Sequence, residues 1–330
     1  MSAVTKADPA KPAGSADALA HRRPLGDRGF QILALGSGLL VLIILVLIAV
    51  TTAQQSTTWF SSAGAKGIFS TNWDPTTGDY GAMAFLYGTV IASVIAIVIA
   101  FPVSVGISLL LNEVVPRRWA RPIVYVIDLL AVVPSVVWGL WGIIVFVPWV
   151  APIYKSIASG VNGIPVLDTL FGGPDAGGAS FFTAGIILAI MITPIITSLA
   201  REVMATVPEM DKQGAYALGA TRWEMIRGAV WPHSQAGVVG AVLIGLGRAM
   251  GETIAVALVM GDSAEVTGHL FYSGESIAAV IALQFGEANA GEYRAALIGL
   301  GLFLFALTII VNLVARAIVE RSARKSRGAA

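Results

Sequence analysis

Six stretches of mainly apolar residues constrain this chain of 330 residues more than any other feature of it. They fall at roughly 30–53, 84–111, 123–149, 181–200, 234–261 and 295–318. A helix that crosses the hydrocarbon layer of a bilayer needs about 20 such residues. Within hydrocarbon every backbone N–H and C=O must find its partner inside the chain, and for runs of this length the α-helix does that. Only 12% of the residues are charged, against 56% hydrophobic, whereas a water-solvated domain spends about a quarter of its residues on charge. The sequence therefore predicts an all-α integral membrane protein with six transmembrane helices.

An even number of spans puts both ends of the chain on one side. Lys and Arg in short connections resist export, so their distribution selects that side. The 1–29 tail, the 112–122 loop, the 201–232 loop and the C-terminal end from Arg316 onward carry 5, 3, 4 and 5 basic residues. The alternate segments carry one each, Lys66, Lys155 and Arg294, and Arg248 falls within the fifth span. Both termini are expected in the cytoplasm. Nine acids, Asp74, Asp79, Asp168, Asp175, Asp262, Glu265, Glu275, Glu287 and Glu292, are expected outside.

Residues 1–29 show no apolar period and read as a disordered cytoplasmic tail, followed by the first span at 30–53 and an external loop at 54–83. A cleaved signal peptide fits poorly, because the first apolar run begins near Gln31 and outlasts a typical apolar core of that kind. A transmembrane core at 84–319 and a basic cytoplasmic tail at 320–330 complete the expected organisation. The absence of cysteine excludes disulfides and thiolate metal sites, so external loops must hold by packing alone. No internal repeat divides the chain into similar halves. Pro102, Pro134 and Pro194 interrupt the second, third and fourth spans. Each removes a backbone donor and bends its helix, either as a packing kink or as a bend that shapes a pathway.

The polar segment 201–232 carries helix punctuation. Pro208 suits a first helical turn and Gly219 a helix end. Thr221 with Glu224 reads as a capping box that opens a second short helix, expected to stop before Pro232. This helix, turn, helix could be an amphipathic hairpin on the headgroups, a nucleic-acid module or a docking element. Four basic and four acidic residues leave no net charge to neutralise phosphates, which argues against nucleic acid.

Gln213-Gly214-Ala215, then Gly219 and Pro232, resembles the EAA loop of binding-protein-dependent (MetI-like) ABC permeases, with Gln213 where the family favours Glu and Gly214 where it favours Ala. That likeness implies a coupling helix seated on an ATPase, with Gln213, Gly214, Ala215, Gly219, Thr221 and Glu224 as coupling residues. The run from Pro102 to Glu113, the run Pro134-Ser135-Val136-Val137-Trp138-Gly139-Leu140-Trp141-Gly142, and the run from Gly245 to Val256 are similar to segments of the C-type permease subunits of bacterial phosphate-specific ABC importers. The resemblance covers about 84–318. It implies a type I ABC importer permease core, a heterodimer with an A-type permease, two copies of an ATPase and an external phosphate-binding protein.

Arg248 and Glu252 stand out without any family, because a charge within a span costs about 3 kcal/mol or more unless it is paired or faces water. Four residues apart, they can share one helix face and pair directly. The alternative has Arg248 offer its planar fork to a phosphate while Glu252 orients it. Gly247 and Gly251 form a GxxxG pair suited to close helix packing or, less simply, to cradling a phosphate. Asp128 reads as a helix-end group, and His233 and His269 lack metal-like spacing.

The sequence contains no P-loop, zincin or nucleophile-elbow motif. The chain is thus expected to be a transport subunit of the inner membrane, with no cofactor of its own and with ATP and Mg held by a partner. A permease for sulfate or molybdate is the nearest alternative; a secondary transporter or channel lies further off.

Overall fold

The computed structural model describes residues 25–161, 163–173 and 176–327. The expected tail at 1–29 lies outside the described residues up to position 24. The chain forms two units, one ending at Thr51 and the other starting at Thr52. Most of the first unit that is described is helix α1 (Leu25–Gln55), which is apolar on every side. A helix of that kind suits a surrounding of hydrocarbon. Two of its hydroxyls are satisfied within it, Ser37 Oγ donating to Leu33 O at 2.8 Å and Thr51 Oγ1 to Leu47 O at 2.8 Å.

In the second unit, α2 (Thr57–Ile68) and a two-stranded antiparallel hairpin, β1 (Trp73–Asp74) and β2 (Asp79–Tyr80), fill the 54–83 segment. The helices that follow are α3 (Met83–Leu109), α4 (Arg117–Val132), α5 (Ser135–Trp141), α6 (Val147–Gly160), α7 (Pro165–Phe171) and α8 (Phe181–Ala205). Beyond them lie α9 (Glu209–Ala217), α10 (Arg222–Met225), α11 (Trp231–Met250), α12 (Ile254–Val259), α13 (Ile277–Gln284) and α14 (Glu292–Arg327). Among the described residues, six helical stretches are long and apolar enough to cross a membrane: Gly29–Gln55, Met83–Val114, Ser135–Gly160, Phe181–Ala205, Arg222–Met250 and Glu292–Ala317. Residues 320–327 continue α14.

The third span differs from its expected bounds of 123–149. Val133 and Pro134 are both extended, with ψ of 125° and 139°, and they separate α4 from the span. Proline forces this on its predecessor, because its ring clashes with an α-helical neighbour. Helix α4 is amphipathic and carries Arg117, Arg118, Arg121 and Asp128, so the apolar stretch that can cross begins after it.

Helix α10 does not stop before Pro232. It passes through a π-helical turn (Ile226–Val230) straight into α11. Such wide turns precede Pro116, Pro148 and Pro232 alike. In each case the residue before the proline donates its N–H five residues back: Val115 to Leu110, Val147 to Gly142 and Trp231 to Ile226. A proline cannot supply the usual bond, and the wider turn re-routes the carbonyls to neighbouring donors.

The core is the contact of α3 with α8. Small residues recur every four positions along α3, at Gly88, Ala92, Ala96, Ala100, Ser104 and Ser108, all buried. Their counterparts on α8 are Gly185, Ala189, Thr193 and Thr197. Ser104 Oγ donates to Thr193 O (3.1 Å), Ser108 Oγ to Thr197 O (3.0 Å) and Asn112 Nδ2 to Arg201 O (2.9 Å). Equal steps along both chains mean that the helices run parallel. Lipid tails are as apolar as leucine, so close approach and hydrogen bonds hold such helices together. A Cβ at Gly185 would lie 2.4 Å from Ile95 Cγ2, so this approach requires glycine. Pro102 and Pro194 sit inside α3 and α8 without breaking either.

At the α2 end, Trp59 and Phe85 anchor a second cluster with α13 and α14. Trp59 Nε1 donates to Tyr80 O (3.1 Å) and Trp73 Nε1 to Gln284 Oε1 (2.9 Å). The 261–276 segment is tied to the start of α8 by backbone bonds, Phe181 N to Tyr272 O (3.1 Å) and Phe182 N to Leu270 O (2.9 Å). These packed indoles and backbone bonds hold segments that no disulfide fixes.

Candidate functional site

Two places carry the residues singled out in the sequence. The first is the hairpin of α9 and α10. Pro208 precedes α9, and Gly219 ends it with φ +85°, a conformation that only glycine adopts freely. Gly219 N donates to Tyr216 O (3.0 Å) and Ala220 N to Ala215 O (3.1 Å), the paired bonds of a Schellman ending. Thr221 and Glu224 form the reciprocal capping box, with Thr221 N donating to Glu224 Oε2 at 2.7 Å and Glu224 N to Thr221 Oγ1 at 3.4 Å. The turn between the helices is thus fixed by local chemistry at both edges.

Gln213 and Gly214 are exposed, and Ala215 is half-buried against the core. Three apolar side chains that the sequence reading passed over share this hairpin. Met210 is 82%, Leu218 90% and Trp223 65% exposed. Leu218 stands at the helix end, and with Met210 and Trp223 it gives the hairpin an exposed apolar surface. Its position just before Gly219 was the available signal.

The hairpin is tied to the bundle by Lys212 Nζ, which contacts Glu113 Oε1 at 2.6 Å. This is the one ion pair between side chains among the described residues, and both groups are mostly buried at 12% and 6% exposure. Glu113 ends the run from Pro102 that the sequence singled out. That run therefore links α3 to the hairpin.

The second place is the end of α11. The fifth span does not continue to 261. It ends at Met250, with Gly251 N donating to Gly247 O (3.2 Å) and Glu252 N to Ala249 O (3.3 Å), before α12 begins. Arg248 lies in the last turn of α11 and is exposed. Glu252 lies beyond the break and is buried, 9% exposed, with Oε1 accepting from Ala255 N at 3.3 Å. The two do not form an ion pair. Direct pairing four residues apart needs an unbroken helix, and Gly251 breaks it. Glu252 instead caps the first turn of α12, where a carboxylate is favoured by the helix dipole.

Gly139 of α5 explains how α12 fits. A Cβ there would lie 2.8 Å from Ala255 Cα, and one at Gly142 would lie 2.6 Å from Val259 Cγ1. The Pro134–Gly142 run and the Gly245–Val256 run therefore meet face to face. By contrast, a Cβ at Gly247 would meet nothing within 4 Å, and one at Gly251 only Gly247 O at 3.5 Å. This GxxxG face is open within the chain and borders a groove of about 620 Å³ lined by Gly240, Gly247, Asn312 and Arg316.

Asp128 Oδ1 accepts from Ser198 Oγ at 3.2 Å. His269 stacks on Tyr272. Among the described residues no three His, Asp or Glu side chains converge as metal ligands. Outside the spans, burial pushes the Glu275 carboxyl up to about 7, with Asp262 adding to the shift.

Residues 104–327 match the family model described as binding-protein-dependent transport system inner membrane component. A protein of Mesorhizobium japonicum named phosphate transport system permease protein PstC is 40% identical over 322 residues, 97% of this chain and 98% of that one. A protein of the same name from Xylella fastidiosa is 42% identical over 300 residues, 91% of this chain and 92% of that one. Among solved structures, a bacterial alginate ABC transporter in complex with its alginate-bound periplasmic protein shares the fold. It has a TM-score of 0.58 and 16% identity over 91% of this chain and 98% of that one.

Proposed function

Because this chain belongs to the family of binding-protein-dependent transport system inner membrane components, we propose that it is the C-type permease subunit of an ATP-driven importer of inorganic phosphate. It is a multi-pass inner-membrane protein, by its family and its six long apolar helices. The observation that carries the phosphate reading is the near full-length likeness to relatives named as phosphate transport permeases. Sulfate and molybdate permeases are not favoured by it.

In this reading both termini are cytoplasmic and the α9–α10 hairpin faces the cytoplasm. Of two copies of an ATPase, which bind ATP and Mg, one takes up Met210, Leu218 and Trp223 of the hairpin, with Gln213, Gly214 and Ala215 on the helix behind them. Movement of the hairpin reaches α3 through Lys212 and Glu113. The α3–α8 pair then carries it across the membrane as one body. An A-type permease closes on the open Gly247–Gly251 face, and an external phosphate-binding protein docks opposite. This chain itself catalyses no reaction.

Arg248 contacts the anion in transit. Its guanidinium is permanently charged, offers two parallel donors to two phosphate oxygens, and is not neutralised by Glu252. Glu252 holds the α11–α12 junction that presents Arg248.

The assembled complex in proteoliposomes tests this. Labelled phosphate should enter with ATP hydrolysis, and excess sulfate or molybdate should not compete. Arg248→Gln should cut uptake at least tenfold at matched complex abundance, and Arg248→Lys should rescue poorly. Restoration of uptake by adding Glu252→Gln to Arg248→Gln would reduce Arg248 to a partner of Glu252.

A further inference from the structure

We propose that a cleft at the hairpin end of the bundle binds a phosphate-bearing anion, at a site separate from Arg248. The cleft has a volume of about 750 Å³ and lies between α4, the ends of α3 and α8, and the start of α9. That size matches pockets which enclose small ligands. Arg117 and Arg121, one turn apart on α4, line one wall, and Arg201 of α8 lines another. None of the three guanidinium groups has a carboxylate within 4.0 Å among the described residues.

Two carboxylates, Asp128 and Glu209, share the cleft with these cations. Lys212 is matched by Glu113, and Asp128 accepts from Ser198. Glu209 lies at the first turn of α9. Three guanidinium groups, from two helices, against these two carboxylates leave the cleft with a net positive charge.

Arg201 is held in place by the α3–α8 contact, since its own carbonyl accepts from Asn112 Nδ2. Its half-buried side chain therefore starts from a fixed point. Planar guanidinium forks that are pre-positioned in this way match the oxygen pairs of phosphate and lose little freedom on binding it.

The apolar face of α4 extends the argument. Trp119, Ile123, Val126 and Leu130 are exposed and recur at helical spacing, while Arg117, Arg121, Val124 and Asp128 face the cleft. A helix so divided lies at the boundary of hydrocarbon and water, where basic pockets between spans take lipid headgroups. The same forks would accept free inorganic phosphate, so the shared chemistry is the phosphate group.

The experiment uses the assembled complex in nanodiscs and compares the wild type with the triple variant Arg117→Gln, Arg121→Gln, Arg201→Gln. In the lipid arm, phosphatidylglycerol is titrated into phosphatidylcholine discs and the retained anionic lipid is counted by native mass spectrometry. In the free-anion arm, labelled inorganic phosphate is titrated onto complex in phosphatidylcholine discs alone. The triple variant should bind at least tenfold more weakly in one arm, and that arm identifies the source. Arg118→Gln, which alters an exposed residue outside the cleft, should bind as the wild type does. Equal binding by wild type and triple variant in both arms overturns the proposal. So does an Arg118→Gln loss as large as that of the triple variant, which would mean a diffuse basic surface. Co-elution of the triple variant with its partners establishes that it folds, and an aggregated triple is replaced by single variants, each expected to weaken binding at least threefold.

Discussion

Glu113→Gln severs the tie between the hairpin and α3, and its cost can be worked from the contact. At 2.6 Å and an effective dielectric of about 20, the attraction is on the order of 6 kcal/mol. Removing both groups from water offsets several kcal/mol of this. Deleting one partner strands the other, and the net loss is about 3 kcal/mol. Because α9 is a short helix held at this point, the loss should appear as local opening. Amide hydrogen exchange of α9 in the purified complex should quicken on the order of a hundredfold, since about 1.4 kcal/mol is a factor of ten. Exchange in α3 and α8 should stay slow, and phosphate-stimulated ATP hydrolysis should fall. Lys212→Met should act alike, and the double variant should cost clearly less than the sum. Additive effects in the double variant, or α9 exchange within threefold of wild type in both singles, would refute the tie.

Other expected outcomes rest on separate features. Glu275 has an ordinary value near 4.5 and is raised to about 7 in the fold, so the folded state keeps a proton that the unfolded state releases. Its contribution is fully present below 4.5 and is lost as pH rises through 7, about 3 kcal/mol in all; thermal stability should therefore decline across that window in the wild type and run flat in Glu275→Gln. Parallel pH profiles would contradict the assignment. Gly219→Val places a branched side chain at φ +85° and should cost about 2 kcal/mol at the hairpin. Membrane insertion should persist while stimulated ATP hydrolysis drops, and normal transport would remove the hairpin from coupling. Gly139→Val must part α5 from α12 at a cost of about 1–3 kcal/mol, which would lower the melting temperature, whereas Gly106→Val, with open space around it, should not; equal shifts would contradict the packing described.

Features set by near neighbours were legible in the sequence. Gly219, Thr221 and Glu224 act within a few residues, and each turns the chain as its chemistry predicts. The spans were legible by length, with the third and fifth displaced; for the third, hydropathy summed over 123–149 does not register that Val133 and Pro134 must be extended. The Arg248–Glu252 pairing failed for a similar reason. Spacing by four holds only on an unbroken helix, and Gly251 followed by Glu252 and Thr253 is itself a stop followed by capping residues. Tertiary partners were not legible at all. The four-residue rhythm from Gly88 to Ser108 can be read off the chain, but that it faces Gly185 to Thr197 cannot. Nor can sequence alone show that Lys212 meets Glu113, or that Arg117, Arg121 and Arg201 share a cleft, because these contacts depend on how whole helices are placed.

The constant offset between α3 and α8 makes the chain unevenly tolerant of changes in length. Ser104, Ser108 and Asn112 find their acceptors 89 residues onward because both helices keep the same pitch. The intervening 115–180 stretch supplies none of these donors or acceptors. Residues could be added or removed around Gly163 or Gly173, where the backbone already turns through positive φ, without disturbing one of the three bonds. A single residue inserted between Ser104 and Ser108 would rotate everything beyond it by about 100°. Part of the small-residue face would then point at lipid, and Ser108 and Asn112 would lose their acceptors together. Natural variation in the length of this protein should accordingly gather near Gly163 and Gly173 and avoid the two helices.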